Sequence, residues 1–215
     1  MLRLYTYYRS SAAYRVRIVL NLKGLAWEPV FVHLRRGGGE QFKPDYVALN
    51  PQALVPTLVD DGVVLTQSLA IINYLEETRP EPRLVPANAA ARARVRALAL
   101  MIACDIHPLN NLRVLQYLKD DLGIDEDARN RWYRHWVELG LGTMERMVAG
   151  HPATGRFCHG DSPGIADACL VPQLANARRF GCDVGVCPTL VAIEGACAEL
   201  PAFRDAAPEN QPDAE

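Results

Sequence analysis

The sequence predicts a two-part fold, a small α/β sandwich of about 80 residues followed by an all-helical half. Over residues 1–80 the hydrophobic pattern alternates between strand-like and helix-like periods, as strands and helices in succession require. "PEPRLVP" (80–86) then sets three prolines within seven residues and reads as a linker. After it, every strongly periodic stretch is helical. The expected domains are 1–83 and 88–215.

The elements follow in order. "LRLYTYY" (2–8), rich in aromatic and apolar residues, is the first strand. From Ser11 the period changes: Ala12, Val16, Val19, Leu20 and Lys23 share a helical face, and Gly24 stops the helix. "WEPVFVHL" (27–34) is a second strand, with Pro29 near its start suggesting an edge or entry position. Gly37-Gly38-Gly39 opens a mobile loop leading to a short element in "EQFKPDYVALN" (40–50). "VPTLVDDGVVLTQS" (55–68) is two short strands around Asp61-Gly62, a hairpin dipeptide. "SLAIINYLEETRP" (68–80) is an amphipathic helix stopped by Pro80. In the second half, 88–119 reads as one long helix with Val95, Leu98, Ile102, Ile106, Leu109 and Leu112 inward and a bend at Pro108. Helical period continues over 126–149, 165–180 and 188–199, and the tail "PENQPDAE" is expected to be loosely held.

At 215 residues, 49% hydrophobic and 22% charged, the chain can bury a full core. A net charge of −2 argues against general nucleic-acid binding. No apolar run reaches the roughly 18 residues of a membrane span, and "MLRLYTYY" lacks a leader pattern. The expectation is a cytoplasmic protein with neither a nucleic-acid nor a membrane partner. Six cysteines without CxxC spacing are expected as free, mostly buried thiols. Cys158-His159 with His151 lacks the paired spacing of zinc ligands, so no metal is expected.

"YYRSSAAYRVRIVLNLKG" (7–24) carries two serines and three arginines around one turn and no acid. A strand running into a helix leaves backbone N–H groups unpaired at the positive end of the helix dipole. Ser10 or Ser11 there suits a small anion; the alternative is a plain N-cap. Val55-Pro56, between two strands, is a candidate cis peptide that would turn the Val55 N–H and C=O outward to pair with a peptide ligand. The alternative is a trans proline starting a strand. Gln67-Ser68 forms a second strand-to-helix junction where a ligand carboxylate could rest. Together these describe a groove for a short peptide with an anionic end and a reactive atom near Ser10. Arg17 is read as a solvated face, and Arg178 and Arg179 as a helix C-terminal pair or, for Arg179, a substrate contact.

These residues resemble the cytosolic glutathione transferases. "RSSAAYRVRIVLNLKG" is similar to the zeta-class signature Ser-Ser-Cys-x-Trp-Arg-Val-Arg-Ile, and the likeness extends through "ALNPQALVPTL", "TQSLAIINYLEE", "CDIHPLNNLRVLQYL" and "ADACLVPQLANARRF". The resemblance implies a thioredoxin-like α/β N-terminal domain, an all-α C-terminal domain, glutathione as cofactor and a homodimer. It implies cis–trans isomerisation of a cis-enedioyl acid, such as maleylacetoacetate in tyrosine catabolism or maleylpyruvate in gentisate breakdown. A general transferase and a non-enzymatic glutathione-binding module are the alternatives on the same fold. Carried over, Ser10 would hydrogen-bond the glutathione sulfur and Ser10, Ser11, Ala12, Ala13, Tyr14 and Arg15 would line the site. Gln41 would meet the glycyl end, Val55 the cysteinyl backbone, and Gln67 and Ser68 the γ-glutamyl group. His107, Asn111, Leu112 and Arg113 would close over the ligand, and Arg9, Arg15 and Arg179 would serve the acidic substrate. Ala12 stands where the signature has cysteine and Tyr14 where it has tryptophan. Gly164 replaces the threonine that opens a capping box, leaving Asp167 to bond backwards.

Overall fold

The structure, a computed structural model, describes residues 1–215. The chain forms two compact units, Met1–Leu84 with Glu199–Glu215, and Val85–Ala198. The last 17 residues thus belong with the first unit and not, as the sequence suggested, with a domain spanning 88–215.

The first unit holds a four-stranded sheet of order β2-β1-β3-β4, built from β1 (Leu2–Thr6), β2 (Trp27–Phe31), β3 (Thr57–Asp60) and β4 (Val63–Thr66). β2 runs parallel to β1, while β3 is antiparallel to both β1 and β4. Pro29 does sit on an edge strand, where its missing N–H removes no ladder bond on the open side. Asp61 and Gly62 both take positive φ, 46° and 90°, the geometry that a two-residue turn between twisted strands demands. Helices α1 (Ser11–Leu22) and α3 (Ser68–Thr78) pack on each other, burying Val16, Ile18, Val19, Leu20, Ile71, Ile72 and Leu75 completely. Each such side chain contributes about 1.5–3 kcal/mol by leaving water. A second cluster gathers Tyr7, Tyr8, Val32, Tyr46 and Val55 with Leu49, and so holds the short α2 (Pro44–Leu49). Lys23, grouped with apolar residues by period, is buried and pairs with Glu76 at 2.6 Å.

The C-terminal tail is not loosely held. Tyr14 donates its hydroxyl to the Phe203 carbonyl (3.3 Å), Asn21 donates to the Ala202 carbonyl (3.1 Å), and Gln211 is buried with its amide on Asp205 and Ala207. Hydrogen bonds that polar composition does not advertise anchor it.

The second unit contains α4 (Ala89–Leu100), α5 (Leu112–Asp120), α6 (Glu126–Val148), α7 (Ile165–Arg179) and α8 (Pro188–Ala198), followed in the first unit by the short α9 (Pro201–Arg204). The single helix expected over 88–119 is two. After α4 the chain widens to a π turn at Met101–Ile106, tightens at His107–Asn110, and leaves helical geometry at Asn111 (ψ 147°). Pro108 lacks the donor that would continue the ladder, and Asn111 caps the next helix by accepting from the Arg113 N–H. α7 is buried from Ile165 to Leu174 and forms the core against α4 and α8. Asp167 completes half of the capping box: its carboxylate accepts the N–H groups of Gly164 and Cys158, both at 2.8 Å. All six cysteines are free thiols and only Cys104 is exposed.

Candidate functional site

Two of the helix N-termini in the first unit, α1 behind Ser10 and α3 behind Gln67, follow a strand directly, and neither helix has an acid in its first turn. Their positive ends are therefore uncompensated by the chain itself. Ser10 is the N-cap of α1: its Oγ accepts from the Ala13 N–H at 3.2 Å, and its own N–H donates to the Tyr7 carbonyl at 2.9 Å. The two readings of this serine are compatible. An accepting hydroxyl oxygen keeps its proton for donation to an anion. Ser10 is half-buried, Ser11 and Ala13 are buried, and Ala12 is partly open.

The second junction is built differently. Gln67 precedes α3 with φ 68° and ψ 115°, its side chain caps nothing and donates to Gln52 Oε1 at 2.9 Å. Ser68 is buried at the first position of the helix, and its Oγ accepts from Arg15 Nη1 at 3.3 Å. Arg15, expected to face a substrate, is 1% exposed, so its charge stands behind the end of α3 and ties the two junctions together.

Val55 lies between them and precedes a cis proline, the conformer expected for it. Its neighbours are pinned: the Leu54 carbonyl accepts from Tyr46 Oη (2.6 Å) and Asn50 Nδ2 (2.8 Å), and both groups also reach Thr57 Oγ1. The N–H and C=O of Val55 enter none of these bonds. Gln41 is buried, donates to the Leu34 carbonyl at 3.3 Å, and keeps Oε1 without a hydrogen-bond partner. It lies so close to Gly39 that a Cβ there would sit 2.6 Å from its amide. Arg9 is exposed, with its guanidinium 4.9 Å from the centre of the Tyr8 ring.

Within the second unit, His107, Asn111, Leu112 and Arg113 share one corner, with Asn111 Nδ2 3.5 Å from His107 Nε2 and Arg113 exposed. Arg179 stands at the end of α7, its guanidinium 5.0 Å from the Phe180 ring, which stacks on Tyr133 at 3.6 Å. Burial raises the Tyr133 phenol above its ordinary pKa, and Arg179 opposes that rise.

Arg17 is the residue that sequence reasoning misjudged. It is fully buried beneath the serine turn, not on a solvated face. The available signal was the helix around it, apolar on every side.

Comparison with known proteins gives the family. Residues 4–83 match the family described as glutathione S-transferase, N-terminal domain. The chain is 54% identical over 211 residues to the probable maleylacetoacetate isomerase of Vibrio cholerae, covering 98% of this chain and 97% of that one. It is 48% identical to a zeta-class bacterial maleylpyruvate isomerase solved in its holo form, with a TM-score of 0.95 and coverage of 99% and 100%. The maleylacetoacetate isomerase of Anaeromyxobacter dehalogenans, solved with bound dicarboxyethyl glutathione and citrate, is 43% identical, with a TM-score of 0.87 and coverage of 100% and 98%. This chain belongs to the zeta-class glutathione transferases, the family of the maleylacetoacetate and maleylpyruvate isomerases.

Proposed function

We propose that the chain is a glutathione-dependent cis–trans isomerase that converts maleylacetoacetate to fumarylacetoacetate. The observation that carries the reading is Ser10, an N-cap whose hydroxyl proton is free, at the head of an acid-free helix. The residues fit glutathione. Val55 offers an extended peptide an N–H and a C=O that enter no backbone hydrogen bond, and Gln41 holds a buried unpaired oxygen in the same unit.

When bound, glutathione would supply the thiolate for reversible addition to the enedioyl double bond, the chemistry by which a cis alkene becomes trans. Ser10 donates its hydroxyl proton toward the sulfur, and the amino end of α1 adds a partial positive charge. Each pH unit by which these lower the thiol pKa corresponds to about 1.4 kcal/mol of preference for the ionised form. Ser68 and the open N–H groups of α3 take the γ-glutamyl carboxylate. Arg15 acts through Ser68, fixing its hydroxyl. A guanidinium suits a substrate carboxylate and the charge developing on the carbonyl; the candidates are Arg9, exposed in the first unit, and, in the helical unit, Arg113 and Arg179. No protein thiol enters, in keeping with Ala12 at the cysteine position of the signature.

The reading extends to a cytoplasmic homodimer acting in tyrosine breakdown, with 1–83 binding glutathione and the helical domain binding substrate. No helix is long and apolar enough to cross a membrane, which accords with that setting. Maleylpyruvate is the second substrate reading, favoured by the 48% identical isomerase of that name; Leu112, less cationic than an arginine, favours the larger diketo acid. The test is to follow loss of maleylacetoacetate absorbance with sub-stoichiometric glutathione, and to repeat it with maleylpyruvate. An isomerase turns over many equivalents and leaves the thiol unconsumed. Stoichiometric loss of glutathione identifies a conjugating transferase instead.

A further inference from the structure

Arg17 is fully buried, yet every hydrogen bond it makes goes to a neutral oxygen. Nε donates to the Ala206 carbonyl (3.0 Å), Nη1 to Thr6 Oγ1 (3.1 Å) and the Tyr7 carbonyl (3.4 Å), and Nη2 to the Tyr8 carbonyl (3.1 Å). One guanidinium thereby joins the end of β1, the turn after it and the C-terminal segment. A lysine has no planar fork that could reach these diverging oxygens. The Tyr7 carbonyl also receives the Ser10 N–H, so the group that Arg17 grips is the one that closes the serine turn.

Tyr8 is held from its other side too. Its N–H donates at 3.0 Å to Oδ2 of Asp213, which lies in the stretch the sequence marked as loose. Both polar groups of the Tyr8 backbone are thus taken by charged side chains, one from α1 and one from the tail. Burying an ion without a bonded counter-ion is unfavourable, and burial pushes the Arg17 guanidinium down to about 10, which still leaves it charged at neutral pH. A core that needed only stability would be served as well by an apolar side chain here. What an apolar residue would not do is fix two carbonyls of one turn.

We infer that Arg17 and Asp213 are positioning residues for the thiol site: between them they clamp the Tyr8 peptide, and so set where the turn presents the Ser10 hydroxyl and the first N–H groups of α1. The inference rests on the proposed role of Ser10. The C-terminal segment is then a working part of the site, acting through the Tyr8 backbone.

The test is an ultraviolet titration of the glutathione thiol bound to the whole chain, with circular dichroism checking that each variant is folded. Asp213→Ala raises the midpoint of thiol ionisation by about half a pH unit or more, a threefold loss of thiolate below the midpoint. Asp213→Asn, which keeps an acceptor oxygen for Tyr8, restores it. Arg17→Lys raises the midpoint further; should that variant not fold, the Asp213 pair decides. Ser10→Ala is the control. If Ser10→Ala shifts the midpoint and folded Asp213→Ala does not, or if Asp213→Asn fails to rescue, the clamp is overturned while the role of Ser10 stands. If Ser10→Ala leaves the midpoint unmoved, the reading of Ser10 falls and the clamp with it.

Discussion

The two strand-to-helix junctions of the first unit present similar helix ends by different means. At residues 7–11 the chain caps itself: Ser10 accepts from Ala13 three residues on, in ordinary extended geometry (φ −72°, ψ 111°). At residues 66–68 there is no side-chain cap, the backbone takes a positive φ at Gln67, and Ser68 is fixed by Arg15 from another helix. A capped end keeps one hydroxyl proton for donation. An uncapped end keeps its N–H groups, and the residue that sets it must come from a distance. The first arrangement suits stabilising one ionised atom, and the second suits holding a carboxylate.

The largest effect that sharpens this contrast belongs to Ser10. Ser10→Ala lowers turnover at saturating glutathione at least tenfold, or about 1.4 kcal/mol of barrier, and costs about 1 kcal/mol of stability through the lost cap. Steady-state kinetics and urea unfolding measure the two separately. Unchanged turnover in the folded variant would remove Ser10 from the site and leave it a cap alone.

That division also explains what was legible in the sequence. Local devices announce themselves. Asp61-Gly62 gave the hairpin, Gly24 (φ 63°) the end of α1, and Ser10 its beginning. Val55-Pro56 could be nominated because an X-Pro bond directly before a strand is a local signal, although the element ahead of it is α2 and not a strand. Devices that depend on partners far along the chain did not show. Arg17 bonds to Ala206, 189 residues away, and Tyr8 to Asp213, 205 residues away, so neither partner could be read from the residues around them. Arg15 was expected at a substrate because arginine near a serine turn suits an anion. One partner it has within the chain, Ser68, lies 53 residues on. The break at Asn111 was legible in principle, since asparagine after a proline-containing turn is a cap signal, but the apolar period of 88–119 ran across it.

Ser68→Ala is the next test, and it separates the junctions by kind. Losing a hydroxyl bonded to a charged group is worth about 1.5–3 kcal/mol, so the Kd for glutathione, measured by calorimetry, rises about tenfold or more. The ionisation midpoint of the bound thiol stays where it was, because the sulfur is served by the other junction. A shifted thiol midpoint in Ser68→Ala would show that the two ends act as one site and would break the comparison.

The smallest effect concerns the backbone at Gln67. A positive φ in a sparsely populated region costs a non-glycine residue about 1–3 kcal/mol. Glycine would relieve that strain but gives back about 0.5–1 kcal/mol through the greater freedom of the unfolded chain. Relief wins, so Gln67→Gly raises stability by about 1 kcal/mol, read as a higher urea midpoint at unchanged slope. Gln67→Ala, which carries a Cβ into the same geometry, has no such gain. The pair of variants isolates the backbone from the amide, since both remove the bond to Gln52. Equal midpoints for the two would mean that the positive φ is no burden, and that the second junction, like the first, sits in relaxed geometry.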